Sequence, residues 1–205
     1  MLSTNVETVH HRSPSRALVA ALAVGAIAAL GLMFAAFGIR HDLVDGSALL
    51  SLGLKTLFAG AVIILAVVAL GKVMRPGGER KISLAAIWSP FIAITLLAIL
   101  TLGLSPSSHW KTMLVGRQWL ECLVSIPLIA VVPFALITWA VRQAAPTSLA
   151  RAGALVGLAA GGISAMGYAL HCTDDTVPFV AFWYGGTIAL CTLAGVKLGP
   201  WLLRW

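Results

Sequence analysis

Between Gly167 and Gly186 the chain reads GYALHCTDDTVPFVAFWYGG. An apolar run ends there, a short turn carries His171, Cys172, Asp174 and Asp175, and a second apolar run opens at Pro178. Long apolar runs joined by short polar turns recur along the whole chain, and that alternation decides the fold. A cysteine beside a histidine at the mouth of such a hairpin is also where polar chemistry is most concentrated.

Outward from this hairpin, the run before it covers Ala152 to Leu170 and the run after it Pro178 to about Val196. Upstream lie four more: Ala17 to Ile39, Ala48 to Gly71, Ile82 to Leu104 and Cys122 to Val141. The first has 23 uncharged residues, enough to cross a hydrocarbon core of about 30 Å at about 1.5 Å per residue. It is too long for the apolar core of a signal peptide, so it reads as an uncleaved span. Composition agrees: 60% of the 205 residues are hydrophobic, 10% are charged, and mean hydropathy is +0.97. A soluble domain of this size cannot bury so much apolar surface around one core. The expectation is an all-α membrane protein, a bundle of six transmembrane helices over residues 17–205 after a short polar tail at 1–16.

Prolines and glycines refine this picture. Ser89-Pro90 predicts a kink in the third helix, its freed carbonyl satisfied by a neighbouring helix or a hydroxyl. Pro127 and Pro133 predict a bent fourth helix. Gly153, Gly157 and Gly161, continued by Ala165, leave one face of the fifth helix without side-chain bulk, so another helix can approach it closely. Pro76-Gly77-Gly78 marks a turn. Ser105 to Glu121 is the longest connection, and its tryptophans suit a membrane interface.

The net charge of +7 would fit nucleic acid if the basic residues formed one face, but they sit singly or in short groups between apolar runs. Counted by side, ten Lys and Arg residues share the face of the N-terminus: Arg12, Arg16, Lys72, Arg75, Arg80, Lys81, Arg142, Arg151, Lys197 and Arg204. Three, Arg40, Lys111 and Arg117, take the other. The positive-inside rule then places both termini in the cytoplasm and expects no direct nucleic-acid contact.

This topology sorts the three cysteines. Cys122 and Cys172 fall at the outer face, whereas Cys191 lies deep in the sixth helix and reads as packing. In an oxidising compartment the outer pair can bridge if their Cα atoms come within about 7 Å. The bridge would span 50 positions, for which the chain-entropy model gives roughly 4 kcal/mol. Unpaired interfacial thiols are the alternative. His41, His109 and His171 share that side and either converge with the thiols on a metal or act as interfacial hydrogen-bonding groups. No C-x-x-C pair or zinc-type spacing supports a thiolate metal site, and His10-His11 is too sparse for one. Lys55 is the intramembrane charge. As an intramembrane functional residue it would pair with a carboxylate such as Asp42 or Asp45 or line an ion pathway; with no Asp or Glu inside any predicted helix, the favoured reading is a stem that snorkels outward.

Taken together these residues resemble the NrsF family of bacterial inner-membrane anti-sigma factors over nearly the whole chain. The resemblance rests on Gly38-Ile39-Arg40 with Asp42-Leu43, on Trp119 to Cys122, on Arg142 to Pro146 with the glycine face, and on His171-Cys172 with Phe179 and Trp183-Tyr184. It implies a multi-pass protein of the bacterial inner membrane. Such a protein holds an extracytoplasmic-function sigma factor inactive on the cytoplasmic side and releases it under stress. It also implies no enzymatic activity, no cofactor, and sensing through outer cysteines, here Cys122 and Cys172 with His171 beside them. Oxidation and metal capture are both open as triggers. A thiol-disulfide oxidoreductase lacks its usual C-x-x-C here, and a small transporter lacks intramembrane carboxylates and an inverted repeat.

Overall fold

The computed structural model describes residues 14–41, 46–74 and 83–204. The tail at 1–13, with Arg12 and His10-His11, lies outside the described residues, as do Asp42, Asp45, the Pro76-Gly77-Gly78 turn, Arg75, Arg80 and Lys81. Among the described residues six helical spans are long and apolar enough to cross a membrane. They are α1 (Pro14–Ala36), α2 (Gly46–Val73), α3 (Leu84–Gly103), α5 (Trp119–Arg142), α6 (Leu149–Tyr168) and a last span, Val177–Leu202. That last span joins α7 (Val177–Phe179), a π-helical stretch (Val180–Tyr184) and α8 (Gly185–Leu202).

α6 is the central helix, with 72% of its apolar window buried against 17% for the peripheral α3. Its glycines explain the position. A Cβ at Gly153 would collide with the Gly195 carbonyl oxygen, and one at Gly157 with that of Cys191. Only bare backbone lets α8 come so near, so α6 and α8 meet along the glycine face with Gly195 and Gly199 opposite it. Cys191 belongs to this contact, its Cβ 3.0 Å from where a Cβ of Gly161 would stand.

α3 runs unbroken through Pro90, and the carbonyl that the proline frees has a partner. Pro90 has no N–H for the carbonyl four residues back, at Ala86. The Ser89 hydroxyl donates to that carbonyl oxygen instead, at 2.8 Å.

Several boundaries differ from the sequence expectation: α5 starts at Trp119 and α6 spans Leu149–Tyr168, each shifted by two or three residues, and three differences have a local cause. α1 ends at Ala36 rather than Ile39, because Gly38 takes a left-handed turn with φ +73°. α8 runs past Lys197 and Pro200 to Leu202, held there by the seating of Gly199 on Leu149 and Gly153. The connection after α3 is not plain loop: a 3-10 turn (Ser107–His109) and a short α4 (Trp110–Val115) lie within it. Six residues are too few to show helical periodicity.

Candidate functional site

The loop after α6 is built by its own backbone. Leu170 N–H donates to Gly167 and Cys172 N–H to Tyr168, at 3.2 and 3.1 Å, which turns the chain back over the helix end and tucks residue 172 beneath it. Cys172 is fully buried there, as is Cys122 in the first turns of α5. Their sulfurs stand 3.9 Å apart, both as free thiols. Two positions 50 apart in sequence thus meet at one end of the bundle.

Around the thiols lies a cluster of charges. Lys55, fully buried on α2, donates to the Cys172 carbonyl at 2.9 Å and to Asp175 Oδ1 at 2.7 Å. Arg40, just beyond α1, donates to the same carbonyl at 3.1 Å and grips Asp175 through both carboxylate oxygens, at 2.9 and 2.8 Å. Fork-to-fork pairing of this kind gives direction as well as energy. Burial raises the Asp175 pKa, but the hydrogen bonds from Arg40 and Lys55 outweigh it and hold the carboxyl below its ordinary range. The thiol of Cys172 is drawn down to about 7, first by the hydrogen bond from Cys122 and then by the Lys55 charge, with burial opposing both. Two buried tyrosines close the chamber. Tyr168 adjoins Cys122, and Tyr184, aimed from the π-helical stretch, adjoins Cys172 and lies under Lys55 Nζ at 5.8 Å from its ring centre. A π turn re-aims side chains relative to an α-helix and is common at functional sites.

The other side of the loop is fastened to the start of α5. Asp174 Oδ2 accepts from the backbone N–H groups of Arg117 and Gln118, at 2.8 and 2.7 Å. An anion is favoured at a helix N-terminus by these orphan donors. Gly116, with φ +61°, makes the approach possible, since a Cβ there would stand 2.6 Å from Asp174 Oδ2. Gln118 Oε1 accepts from Thr173 N–H at 2.8 Å, Thr176 donates to Met113 O at 2.7 Å, and Trp183 Nε1 donates to Leu114 O at 2.8 Å. α4 is thereby pinned over the thiol loop.

The residues singled out by sequence separate here. Cys122, Cys172 and Lys55 come together. Lys55 does not snorkel to the surface, and the carboxylate it meets is Asp175, because the hairpin loop folds over α2. His171 takes a different direction. Its Nδ1 lies 3.3 Å from Gly38 O and its ring packs on Phe37 and Tyr168, at 5.3 and 5.7 Å, so its described contacts fasten the loop to the end of α1. Among the described residues no three His, Cys, Asp or Glu side chains gather as a metal site, and His41 and His109 do not converge on the thiols.

Comparison with known proteins decides the family. Residues 2–205 match the family described as NrsF, negative regulator of sigma F. The chain belongs to the NrsF family. Two NrsF relatives align along nearly their whole length. One is a probable anti-sigma-F factor of Azospira oryzae, 30% identical over all of this chain and 96% of its own. The other is an anti-sigma-F factor of Caulobacter vibrioides, 32% identical over 94% of this chain and 91% of its own. No solved structure matches. Membership of the NrsF family points to a regulatory role rather than an enzymatic one.

Sequence reasoning passed over Arg40, Gln118, Tyr168 and Tyr184 as site residues. A lone outer arginine directly after a helix was the available signal for Arg40. Nothing local marks Tyr168, whose neighbours are apolar, and Tyr184 entered only through the Trp183-Tyr184 pair of the family resemblance.

Proposed function

We propose that this chain is a membrane-bound anti-sigma factor that holds a sigma factor of the extracytoplasmic-function type inactive at its cytoplasmic face and lets it go under stress, when the outer thiol pair changes state. The observation that carries the reading is the match along the whole chain to negative regulators of sigma F, which leaves no part of the sequence unclaimed by that family. The charge count supports a bacterial inner-membrane orientation with both termini inside, the thiols facing the periplasm and the partner opposite them. The partner is then a protein, and DNA is met only through it.

The outer cap supports the sensing half. The Cys122–Cys172 pair sits where α1, α2, α5, α6 and the last span are all tied through Arg40, Lys55, Gln118, Tyr168 and Tyr184. Closing the sulfurs from 3.9 Å to a bond of about 2.05 Å draws α5 against the loop that these helices share. Packed helices respond to such a shift as rigid units, which is how a displacement of about an ångström at one end reaches the other.

The test is co-purification. The detergent-solubilised chain from an oxidant-free culture retains a sigma factor, the same preparation after oxidant stress retains less, and Cys122→Ser or Cys172→Ser retains it under both conditions. A preparation that never retains a sigma factor, or serine variants that release it normally, contradicts the reading.

A further inference from the structure

We infer that Cys172 is the attacking thiolate of the pair and Cys122 the resolving thiol, with Lys55 and Arg40 as the positioning residues that hold Cys172 in that role. The inference rests on the thiol-sensing reading above and asks which sulfur acts first.

The two sulfurs have unlike surroundings. Lys55 Nζ and Arg40 Nη1 both bond the carbonyl of residue 172 itself, at 2.9 and 3.1 Å. Lys55 has no exposed surface, so its charge acts through protein rather than through water. Cys122 instead follows Glu121, an acid in the first turn of α5, and its sulfur looks towards the Tyr168 hydroxyl. The groups facing Cys172 are Lys55 from α2, Arg40 from beyond α1, Cys122 from α5, Tyr168 from α6, Tyr184 from the π-helical stretch, and Asp174 and Asp175 from its own loop. Of the two loop carboxylates, Asp174 is taken up by the Arg117 and Gln118 amides and Asp175 by the two cations. As a thiol, Cys172 Sγ donates to the Asp174 backbone carbonyl at 3.9 Å; once that proton is lost, the Cys122 thiol is the donor to the Cys172 sulfur across the 3.9 Å between them. The lowered pKa of Cys172 agrees with this direction.

With a peroxide as oxidant the steps balance. The Cys172 thiolate attacks one peroxide oxygen, the O–O bond breaks, and the leaving oxyanion takes a proton from solvent. Cys172 is now a sulfenic acid. The Cys122 sulfur attacks it, the S–S bond forms, the S–O bond breaks, and water leaves with the Cys122 proton. Two electrons pass from the thiol pair to the peroxide.

The test uses the full-length chain in lipid nanodiscs, hydrogen peroxide as oxidant and dimedone to trap sulfenic acid, with the adduct located by peptide mass spectrometry. Cys122→Ser should carry at least tenfold more adduct, on Cys172, than Cys172→Ser carries on Cys122. Equal trapping, trapping confined to Cys122, or none at either thiol overturns the assignment. In the Cys122→Ser background, Lys55→Met should move the pH midpoint of iodoacetamide alkylation of Cys172 upward by a unit or more, and Lys55→Arg should restore it. An unmoved midpoint removes Lys55 from the role, because a merely structural lysine would alter yield and leave the midpoint in place. Sigma-factor retention is followed in the same samples of the unsubstituted chain. Trapping as expected with retention indifferent to peroxide leaves the assignment standing and overturns the sensing reading.

Discussion

The two ends of the bundle are held by different forces. At the end that carries the thiols, segments far apart in sequence are joined by directed polar bonds: Arg40 and Lys55 to Asp175, Asp174 to the start of α5, Trp183 to α4. Towards the opposite end α6 and α8 lie backbone against backbone on Gly153, Gly157, Gly195 and Gly199, where dispersion and shape do the holding. The contrast teaches which end chemistry can address: charge and the close thiol pair are gathered at one end, whereas the glycine contact is backbone packing with Cys191 as its lone thiol.

The sharpest way to break this contrast is Gly157→Leu. Its side chain has no space against the Cys191 carbonyl, and since overpacking costs about 1–3 kcal/mol even where side chains can yield, backbone that cannot yield should cost more. The expected outcome is loss of a monodisperse species in size-exclusion chromatography.

Asp175→Asn comes next. It strips the carboxylate from two buried cations, which costs about 3–5 kcal/mol in a fully buried pair. Asp175 keeps about a quarter of its side chain in solvent, so about 2 kcal/mol is expected, read as a lowered Tm in detergent. Acid should do the same to the unsubstituted chain. The Asp175 carboxyl is held below its ordinary 3.8, so its contribution is complete above that pH and is lost as pH falls through the lower folded value. A melting series from pH 6 down to pH 2 reads this, and Asp175→Asn should flatten the acid limb.

Asp174→Ala removes the acceptor of two amides at the start of α5, a loss of about 1 kcal/mol by analogy with helix N-caps. Its effect should appear as faster amide hydrogen exchange at Arg117 and Gln118. The smallest change expected is Gly186→Ala. It has nothing within 4 Å of its new methyl, and it should leave stability unchanged or raise it by up to about 1 kcal/mol through helix propensity, read as an unchanged or higher Tm. A large loss there would show that glycines matter in this chain for reasons other than the α6–α8 contact.

Much of this was legible in the sequence because helices long and apolar enough to cross a membrane leave long, uniform signals. Six apolar runs located six spans to within a few residues. Four-residue glycine spacing announced a close helix contact, and Ser89 beside Pro90 announced its own repair. α4 was too short to leave a period. The ion cluster was hidden for a different reason: Lys55 and Asp175 are 120 positions apart, and pairing across a fold leaves no local trace in one sequence. The lone charge on α2 read as a stem snorkelling outward, because no predicted helix carries an acid in its interior; the loop carboxylate that meets it, Asp175, comes from a hairpin that only the fold lays over α2. Cys122 and Cys172 were easier, because alternating spans assign every residue to one face or the other and only two cysteines fell on the same one.

The most direct test of the central claim follows thiol state and sigma-factor retention together in one membrane preparation titrated with hydrogen peroxide. Mass-tagging of Cys122 and Cys172 gives the fraction of the pair oxidised, and immunoblotting of the pelleted membranes gives the sigma factor still bound. The account predicts that release rises in step with oxidation of the pair and is absent in Cys122→Ser/Cys172→Ser. Release that proceeds unchanged in the double variant would contradict it.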